Sequence, residues 1–448
     1  MIIIIYKLRW YRVILRPWSK SKGVFYLKGE KSMDLLEELE WRGLIKDTTN
    51  KDILKELINK KATLYCGFDP TASSLHIGHL VPVLTLKRFQ SFGHRIIALV
   101  GGGTGLIGDP SGRNSERKLL TLKQSLENAD LIKEQLSRFL DFSDSKKTIM
   151  LNNYDWLSKI DVITFLRDYG KNFPINYMLA KDTVASRLES GISFTEFSYM
   201  IVQSIDFYNL YKKENCRIQL GGSDQWGNIT SGTELIRRIE GDSNVVGITM
   251  PLITKSDGTK FGKSSGGSFW LDAEMTSPYS IYQYFLNTSD QDVVHYLKVF
   301  TFYNKDEIEE FENKVKESPE LRQAQKALAK SLVIMLHGEQ AMEEVQKMCD
   351  VLFGGNVKDL SLKQINVCFN GVPNIFISEP KNIVDVLVEV KAASSKREAR
   401  ELLEKGTYSI NGDKIMDINY VFDKQNAIEN SVFIVRRGKK NYFMVKIS

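Results

Sequence analysis

The sequence predicts an α/β protein built on a doubly wound parallel sheet, followed by an all-α region and a small α+β module. Three observations lead there. Short apolar runs rich in β-branched residues alternate with helix-like segments up to about residue 277. Most of these runs end in a Gly-rich or otherwise unusual loop. Beyond Ser277 the alternation gives way to a helical pattern, and a mixed pattern returns near residue 382. With 448 residues, 42% of them hydrophobic, the chain holds enough apolar side chains for several cores.

Residues 1–32 carry many Lys and Arg and only one acid, Glu30. They read as a leader outside the fold, poorly ordered or not native. Its apolar residues precede its charges, the reverse of a secretory signal. It is basic and acid-poor but not Ser-rich, so the expected localisation is cytoplasmic, with an organellar address as the alternative. "MDLLEELEWRGLIKDTT" from Met33 reads as an amphipathic helix, with Asp34 at its start and Gly43 near its end. "ATLYCGF" (62–68) is the first strand. "HIGHLVPVLTLKRFQSFG" (76–93) is a helix stopped by Gly93. "HRIIALVGGGTGLIGDPSG" (94–112) is a strand running into a glycine loop. "KKTIMLN" (146–152), "CRIQLGGSDQWGN" (216–228) and "VVGITMPLI" (245–253) supply three more strands. Parallel sheets bind ligands outside the carboxyl ends of their strands, where the unusual loops fall. The predicted division is 33–277 for the sheet domain, 278–352 for a helical domain, 353–381 for a linker and 382–448 for a third domain.

The formal net charge of +6 permits a nucleic-acid partner without requiring one. Cys66, Cys216, Cys349 and Cys368 have no paired spacing, which argues against a disulfide framework or a zinc site. No apolar run approaches the roughly 20 residues of a membrane helix.

Two of the five histidines, His76 and His79, flank Ile77 and Gly78 at a predicted helix start. A metal pair would want a glutamate between them, a third histidine or a cysteine pair, and the sequence offers none nearby. A single histidine there would ordinarily cap or pack. Two of them, with Gly78 leaving room for a flat group and Thr71 close by, suit a phosphate chain at a positive helix end. Lys260 and Lys263 lie in "ITKSDGTKFGKSSGGSFW" (253–270). Lysines in such a loop are ordinarily solvated. Gly258, Gly262, Gly266 and Gly267 give it freedom to close over a ligand, where ammonium groups can follow charge onto a leaving pyrophosphate. Arg113 and Arg117 in "DPSGRNSERK" are either a third cationic element or surface charge. In "FSYMIVQSIDFYNLY" (197–211), Tyr199, Gln203 and Asp206 share one helical face. Asp206 could accept a bond from a ligand hydroxyl, with Tyr65 as its donor partner. Pro82 falls in the second turn of the predicted helix, where it removes a backbone donor.

"HIGH" (76–79) and "KFGKS" (260–264) together resemble the signature pair of class I aminoacyl-tRNA synthetases. "YCGFDPTASSLHIGHL", "TGLIGDPSGR", "GGSDQWGNI" and "DGTKFGKS" are similar specifically to the bacterial-type tyrosyl-tRNA synthetase family, over roughly residues 33–448. The resemblance implies a Rossmann-like catalytic domain, an anticodon-side helical domain and an S4-like RNA-binding tail. It implies a two-step tyrosine–tRNA ligase: L-tyrosine and ATP give tyrosyl-adenylate and pyrophosphate, and the tyrosyl group passes to the 3′ end of tRNA(Tyr). It assigns catalysis to His76, His79, Thr71, Lys260, Lys263, Arg113 and Arg117. Tyr65 and Asp206 would bind the phenolic hydroxyl, Asp109, Tyr199 and Gln203 the ammonium group, and Gln219 and Gln225 would line the pocket. ATP would meet Cys66, Gly67, Asp69, His76, Gly78, His79, Gly222, Asp224 and Lys263. Mg2+ would enter on the ATP phosphates, and the enzyme would be a homodimer with no membrane partner. A tryptophan enzyme of the same fold is the nearer alternative, against which stands the Tyr65–Asp206 pair, since indole has no hydroxyl. The other is an RNA-binding protein without activity, against which stand the intact motifs.

Overall fold

The computed structural model describes residues 33–111, 120–189, 191–241, 244–259, 261–264, 267–352, 355–438 and 441–448. The basic stretch 1–32, Arg113, Arg117 and Lys260 lie outside the described residues, as does the side chain of Lys263.

The described residues form two compact units. The first runs to Thr276 and adds Leu286–Leu328; the second takes Ser277–Phe285 and Ala329–Ser448.

Six strands form the sheet of the first unit: β1 (Asp47–Thr48), β2 (Thr63–Phe68), β3 (Ile96–Val100), β4 (Thr148–Asn152), β5 (Cys216–Gly222) and β6 (Val246–Met250). Their order is β1-β6-β5-β2-β3-β4. All pairings are parallel except β1 with β6. Every side chain of β3 and β6 is buried, because helices cover both faces, and this is why these strands read as continuous apolar runs. Each buried Ile or Val here contributes about 1.5–3 kcal/mol of transfer free energy. A charge at Ile97 would be expected to break the sheet. Strands β3 and β4 lead away from β2 on one side and β5 and β6 on the other. The crevice between β2 and β5 is therefore the point where strand order reverses, the ordinary ligand site of such a sheet.

The helix predicted over 76–93 divides into a 3-10 turn, Ile77–His79, and an α-helix, Leu80–Ser91. Pro82 is thus the third residue of the α-helix. It sits in the first turn, where a backbone donor has no intrahelical acceptor in any case. The expected cost of a second-turn proline does not arise.

In the second unit five strands pair in the order β12-β11-β14-β15-β9, a numbering that counts the two-residue pairs β7 (Lys263–Ser264) with β8 (Gly267–Ser268) and β10 (Lys381–Asn382) with β13 (Val421–Phe422). The five are β9 (Asn374–Ile377), β11 (Tyr408–Ile410), β12 (Asp413–Ile415), β14 (Val432–Arg437) and β15 (Asn441–Ile447). Asn411 and Gly412, both at positive φ, make the tight turn between β11 and β12. Alternation along β14 loads both faces. Phe433 and Val435 pack with Val386, Leu387 and Leu403 of the helices Ile383–Glu389 and Lys396–Glu404. Val432 and Ile434 pack with Val357, Leu360, Ile365 and Phe369. That second cluster corrects the linker reading of 353–381. Its described part, 355–381, carries the helix Leu362–Cys368 and the strand β9, which pairs with β15, so it is folded structure. Its glycines and asparagines are turn residues between short elements.

Candidate active site

Strand β2 delivers Tyr65, Cys66 and Gly67 to the crevice, followed by Asp69. Burial and the nearby Asp206 push the Tyr65 hydroxyl well above its ordinary pKa, and its oxygen has no hydrogen-bond partner within the described protein. The Gln219 Oε1 on β5 is likewise buried without a partner. Buried polar atoms are nearly always paired, so these two mark where a polar ligand group fits. Gly67 faces open space, since a Cβ built there meets nothing within 4 Å. Burial pushes the Cys66 thiol up to about 12, so it stays protonated and is no nucleophile.

The helix Phe194–Glu214 brings Tyr199 and Asp206 to the same crevice, with Gln203 half-buried beside them. Asp206 is fully buried. It accepts hydrogen bonds from Asn153 Nδ2 at 2.9 Å and Trp156 Nε1 at 2.8 Å. Burial raises its pKa to about 7, against those two donors, which favour the charged form. Neither Asn153 nor Trp156 was read from the sequence as a site residue. Both follow directly on β4 in "NNYDW", at the carboxyl end of a parallel strand, and that position was the available signal. The Asn153 side chain also accepts from Gly103 N at 2.7 Å and donates to Thr104 Oγ1 at 2.9 Å. Thr104 in turn donates to Asp69 at 2.6 Å, and Tyr199 donates its hydroxyl to the other Asp69 oxygen at 2.8 Å. A chain of bonds therefore runs from Asp206 to Tyr199 through the glycine loop after β3. Gly101 permits it: a Cβ there would stand 1.9 Å from Asp69 Oδ1. Asp69, expected at ATP, is here the acceptor for Tyr199.

Asp109 is buried near Tyr199. It accepts from Ser111 N at 2.9 Å and from the amides of Gln225 and Asn228. Asp224 stands beside Gly222 at the end of β5, and burial followed by the charge of Asp109 raises its pKa. Thr71 is exposed, on the turn that leads to the histidines.

His76 and His79 stack, with ring centroids 3.8 Å apart. The Nδ1 of His76 accepts from Gly78 N, and the Nδ1 of His79 accepts from His76 N, each at 3.1 Å. An Nδ1 that accepts carries no proton, so in both neutral rings the proton sits on Nε2 as a donor. Gly78 is needed because a Cβ would stand 3.0 Å from the His76 ring. The loop with the second signature is joined to the first by backbone. Ile77 N donates to Phe269 O at 2.9 Å, Leu271 N to Leu75 O at 2.8 Å, and Phe269 N to Gly262 O at 3.0 Å. Gly262 has φ +72°, and its missing Cβ would stand 2.4 Å from Ile77 Cγ2. The glycine of one signature thus packs on the isoleucine of the other.

Doubly wound parallel strands with these two signatures bridged at their carboxyl ends define the catalytic core of a class I aminoacyl-tRNA synthetase. The comparisons agree. Residues 57–354 match the family model for tRNA synthetases class I (W and Y), and residues 364–445 match a tyrosine–tRNA ligase C-terminal domain. The chain is 54% identical over 417 residues to tyrosine–tRNA ligase 1 of Bacillus subtilis, covering 92% of this chain and 99% of that one. It is 52% identical over 419 residues to the tyrosine–tRNA ligase of Geobacillus stearothermophilus, covering 92% and 100%. Among solved structures, a C-terminally truncated mitochondrial tyrosyl-tRNA synthetase of Aspergillus nidulans superposes with a TM-score of 0.64 at 32% identity, over 72% of this chain and 95% of that one. The chain belongs to the tyrosine–tRNA ligase family.

Proposed function

We propose that the chain ligates tyrosine to tRNA(Tyr) with the following division of labour. The tyrosine phenol lies between Tyr65 and Asp206, and its ammonium group meets Tyr199, Gln203 and the carboxylates of Asp69 and Asp109. The tyrosine carboxylate attacks the α-phosphorus of ATP. The bond to the bridging oxygen breaks and pyrophosphate leaves. The Nε2–H donors of His76 and His79 stabilise the crowded phosphoryl oxygens, with Thr71, while Lys260, Lys263, Arg113 and Arg117 neutralise the departing charge. Gly67 and Gly222 let nucleotide approach the backbone, beside Cys66, Gly78 and Asp224, and Gln219 and Gln225 line the pocket. A hydroxyl of the 3′-terminal adenosine then attacks the tyrosyl carbonyl and AMP leaves. Among the described residues no cluster of three or more His, Cys, Asp or Glu is placed to hold a metal. Mg2+ is assigned to the ATP phosphates, where it would shield their charge.

The observation that carries this reading is the backbone bridge that sets the histidine turn against Gly262, in the same unit as the buried Tyr65–Asp206 pair. The test is tyrosine-dependent exchange of label between pyrophosphate and ATP, followed by charging of tRNA(Tyr). Exchange with tryptophan but not tyrosine would refute it.

The partner surfaces are proposals on the same footing. Val162, Ile163 and Ile175, between β4 and the helix Phe194–Glu214, and Phe194 at the start of that helix are 62–73% exposed. Exposed apolar side chains of this size fit burial against a second copy of this chain, giving a homodimer. In the second unit Lys396 pairs with Asp385, Arg397 with Glu401 and Arg437 with Glu398, and Arg400 is exposed. We assign this S4-like module to tRNA phosphates. No helix among the described residues is long and apolar enough to cross a membrane. Likeness to bacterial tyrosine–tRNA ligases supports a cytoplasmic localisation as the proposal.

A further inference from the structure

Within the first unit, the helix Asp290–Phe300 meets the lysine-bearing loop along its whole length. In its first turn the Asp292 carboxylate accepts the Ser256 N–H and the Ser256 hydroxyl, both at 3.1 Å. Midway, Tyr296 donates its hydroxyl to Thr254 O at 3.3 Å. Near its end Phe261 seats between two rings, edge-on to Tyr296 with centroids at 5.2 Å and stacked on Phe300 at 5.2 Å. The same helix also holds the other signature segment. Its C-terminal carbonyls at Val299 and Thr301 accept from the guanidinium of Arg88 at 3.2 and 2.6 Å. Arg88 lies on the helix Leu80–Ser91, which begins directly after the histidine turn. It is 1% exposed, and burial lowers its pKa to about 9, which leaves it charged at neutral pH. A cation at a helix C-terminus is favoured by the dipole, and a buried one cannot be withdrawn cheaply.

One helix therefore carries both signatures, the histidine turn through a buried guanidinium and the lysine loop through a carboxylate and a ring nest. Phe261 lies two residues before Lys263, so its seat sets where the backbone of Lys263 stands. We propose that the helix Asp290–Phe300 fixes the two signature segments relative to one another, with Phe261 and Asp292 as positioning residues for Lys263 during adenylate formation. This rests on the role given above to Lys263.

The test is single-turnover formation of tyrosyl-adenylate by the full-length protein in Phe261→Ala, Asp292→Ala, Lys263→Ala and the double variant Phe261→Ala/Lys263→Ala. Tyrosine affinity is measured in parallel by equilibrium binding. Misplacing a catalytic group by about 1 Å costs on the order of 100-fold, so Phe261→Ala and Asp292→Ala should each slow activation by roughly 10- to 100-fold. Tyrosine affinity should stay within about two-fold. If Phe261 acts through the lysine, the double variant should be no slower than Lys263→Ala alone. A slow Lys263→Ala beside an unaffected Phe261→Ala and Asp292→Ala overturns the positioning role and leaves the lysine role standing. So do penalties that multiply in the double variant, or tyrosine affinity falling as far as the rate. An unchanged rate in Lys263→Ala overturns the lysine role itself, and the proposal with it.

Discussion

Replacing Trp156 with Phe keeps an aromatic ring beside the pocket and removes one of the two donors on Asp206. The structure gives the size of the effect. Asp206 titrates at about 7 because burial outweighs the bonds from Asn153 and Trp156. A hydrogen bond to a charged group is worth about 1.5–3 kcal/mol. Losing one therefore raises the pKa by roughly one to two units, since one unit is about 1.4 kcal/mol. At pH 7.5 the ionised fraction of Asp206 would fall from about three-quarters to between about a quarter and a thirtieth. A neutral carboxyl is the weaker acceptor, so tyrosine should bind the ionised form. The sign follows: affinity in the wild type rises with pH through about 7, and in Trp156→Phe the rise moves to roughly pH 8–9. At pH 7.5 the variant should bind tyrosine about 3- to 25-fold more weakly and recover most of that by pH 9.5. Equilibrium tyrosine binding from pH 6 to 9.5 on both proteins measures this. A loss of affinity that is constant across that range would mean the indole only fills space, and a flat wild-type profile would mean Asp206 is ionised throughout.

Other expectations follow from the same geometry. His76→Ala and His79→Ala should each slow adenylate formation by about 10²–10³-fold with tyrosine binding nearly intact, as single-turnover and binding measurements together would reveal. Asp206→Ala should cut the preference for tyrosine over phenylalanine by roughly 5- to 150-fold, the worth of about 1–3 kcal/mol for an unmatched buried donor; tyrosyl-tRNA synthetases are themselves the standard case of selection by a bonded hydroxyl. Gly262→Ala puts a methyl against Ile77 and strains a left-handed backbone by about 1–2 kcal/mol, so activation should slow, and adding Ile77→Ala should restore part of the rate but not all. A chain ending at Leu352 should keep pyrophosphate exchange and charge tRNA poorly, and tRNA affinity of the intact chain should fall steeply with salt. A chain ending near Pro380 should be the worse truncation, because it leaves β9 and the helix Leu362–Cys368 without their sheet; equal thermal melts of the two would contradict this.

The parts of the fold legible in the sequence were those with a strong period. The five parallel strands stand out because both faces are buried, which forces runs such as Ile96–Val100. The edge strand β1 is two residues long and antiparallel, and its pairing with β6 comes from atoms some 200 residues away in sequence. No local pattern could announce it. The same holds for the site. Tyr65, Asp206 and the signature motifs carry chemistry in their residue types and spacing. Asn153 and Trp156 reach Asp206 across about 50 positions, and Arg88 reaches Thr301 across 213. Such residues become visible only when the sheet brings the loops together. Residues 353–381 looked like a linker because their elements are short and punctuated by turn residues, while the apolar positions that fold them find partners in β14 and β15.

The order β12-β11-β14-β15-β9 has a consequence for synthesis on the ribosome. Strand β15 is the last strand of the chain described, yet it lies inside the sheet, with β14 on one side and β9 on the other. A growing chain can close the catalytic sheet once Met250 has cleared the exit tunnel, because every strand of that sheet precedes it. The second sheet stays in two pieces until Ile447 has emerged, and until then β9 presents an unpaired edge. Newly made chains thus hold a finished catalytic sheet for some 200 residues of translation before the module assigned to tRNA can fold.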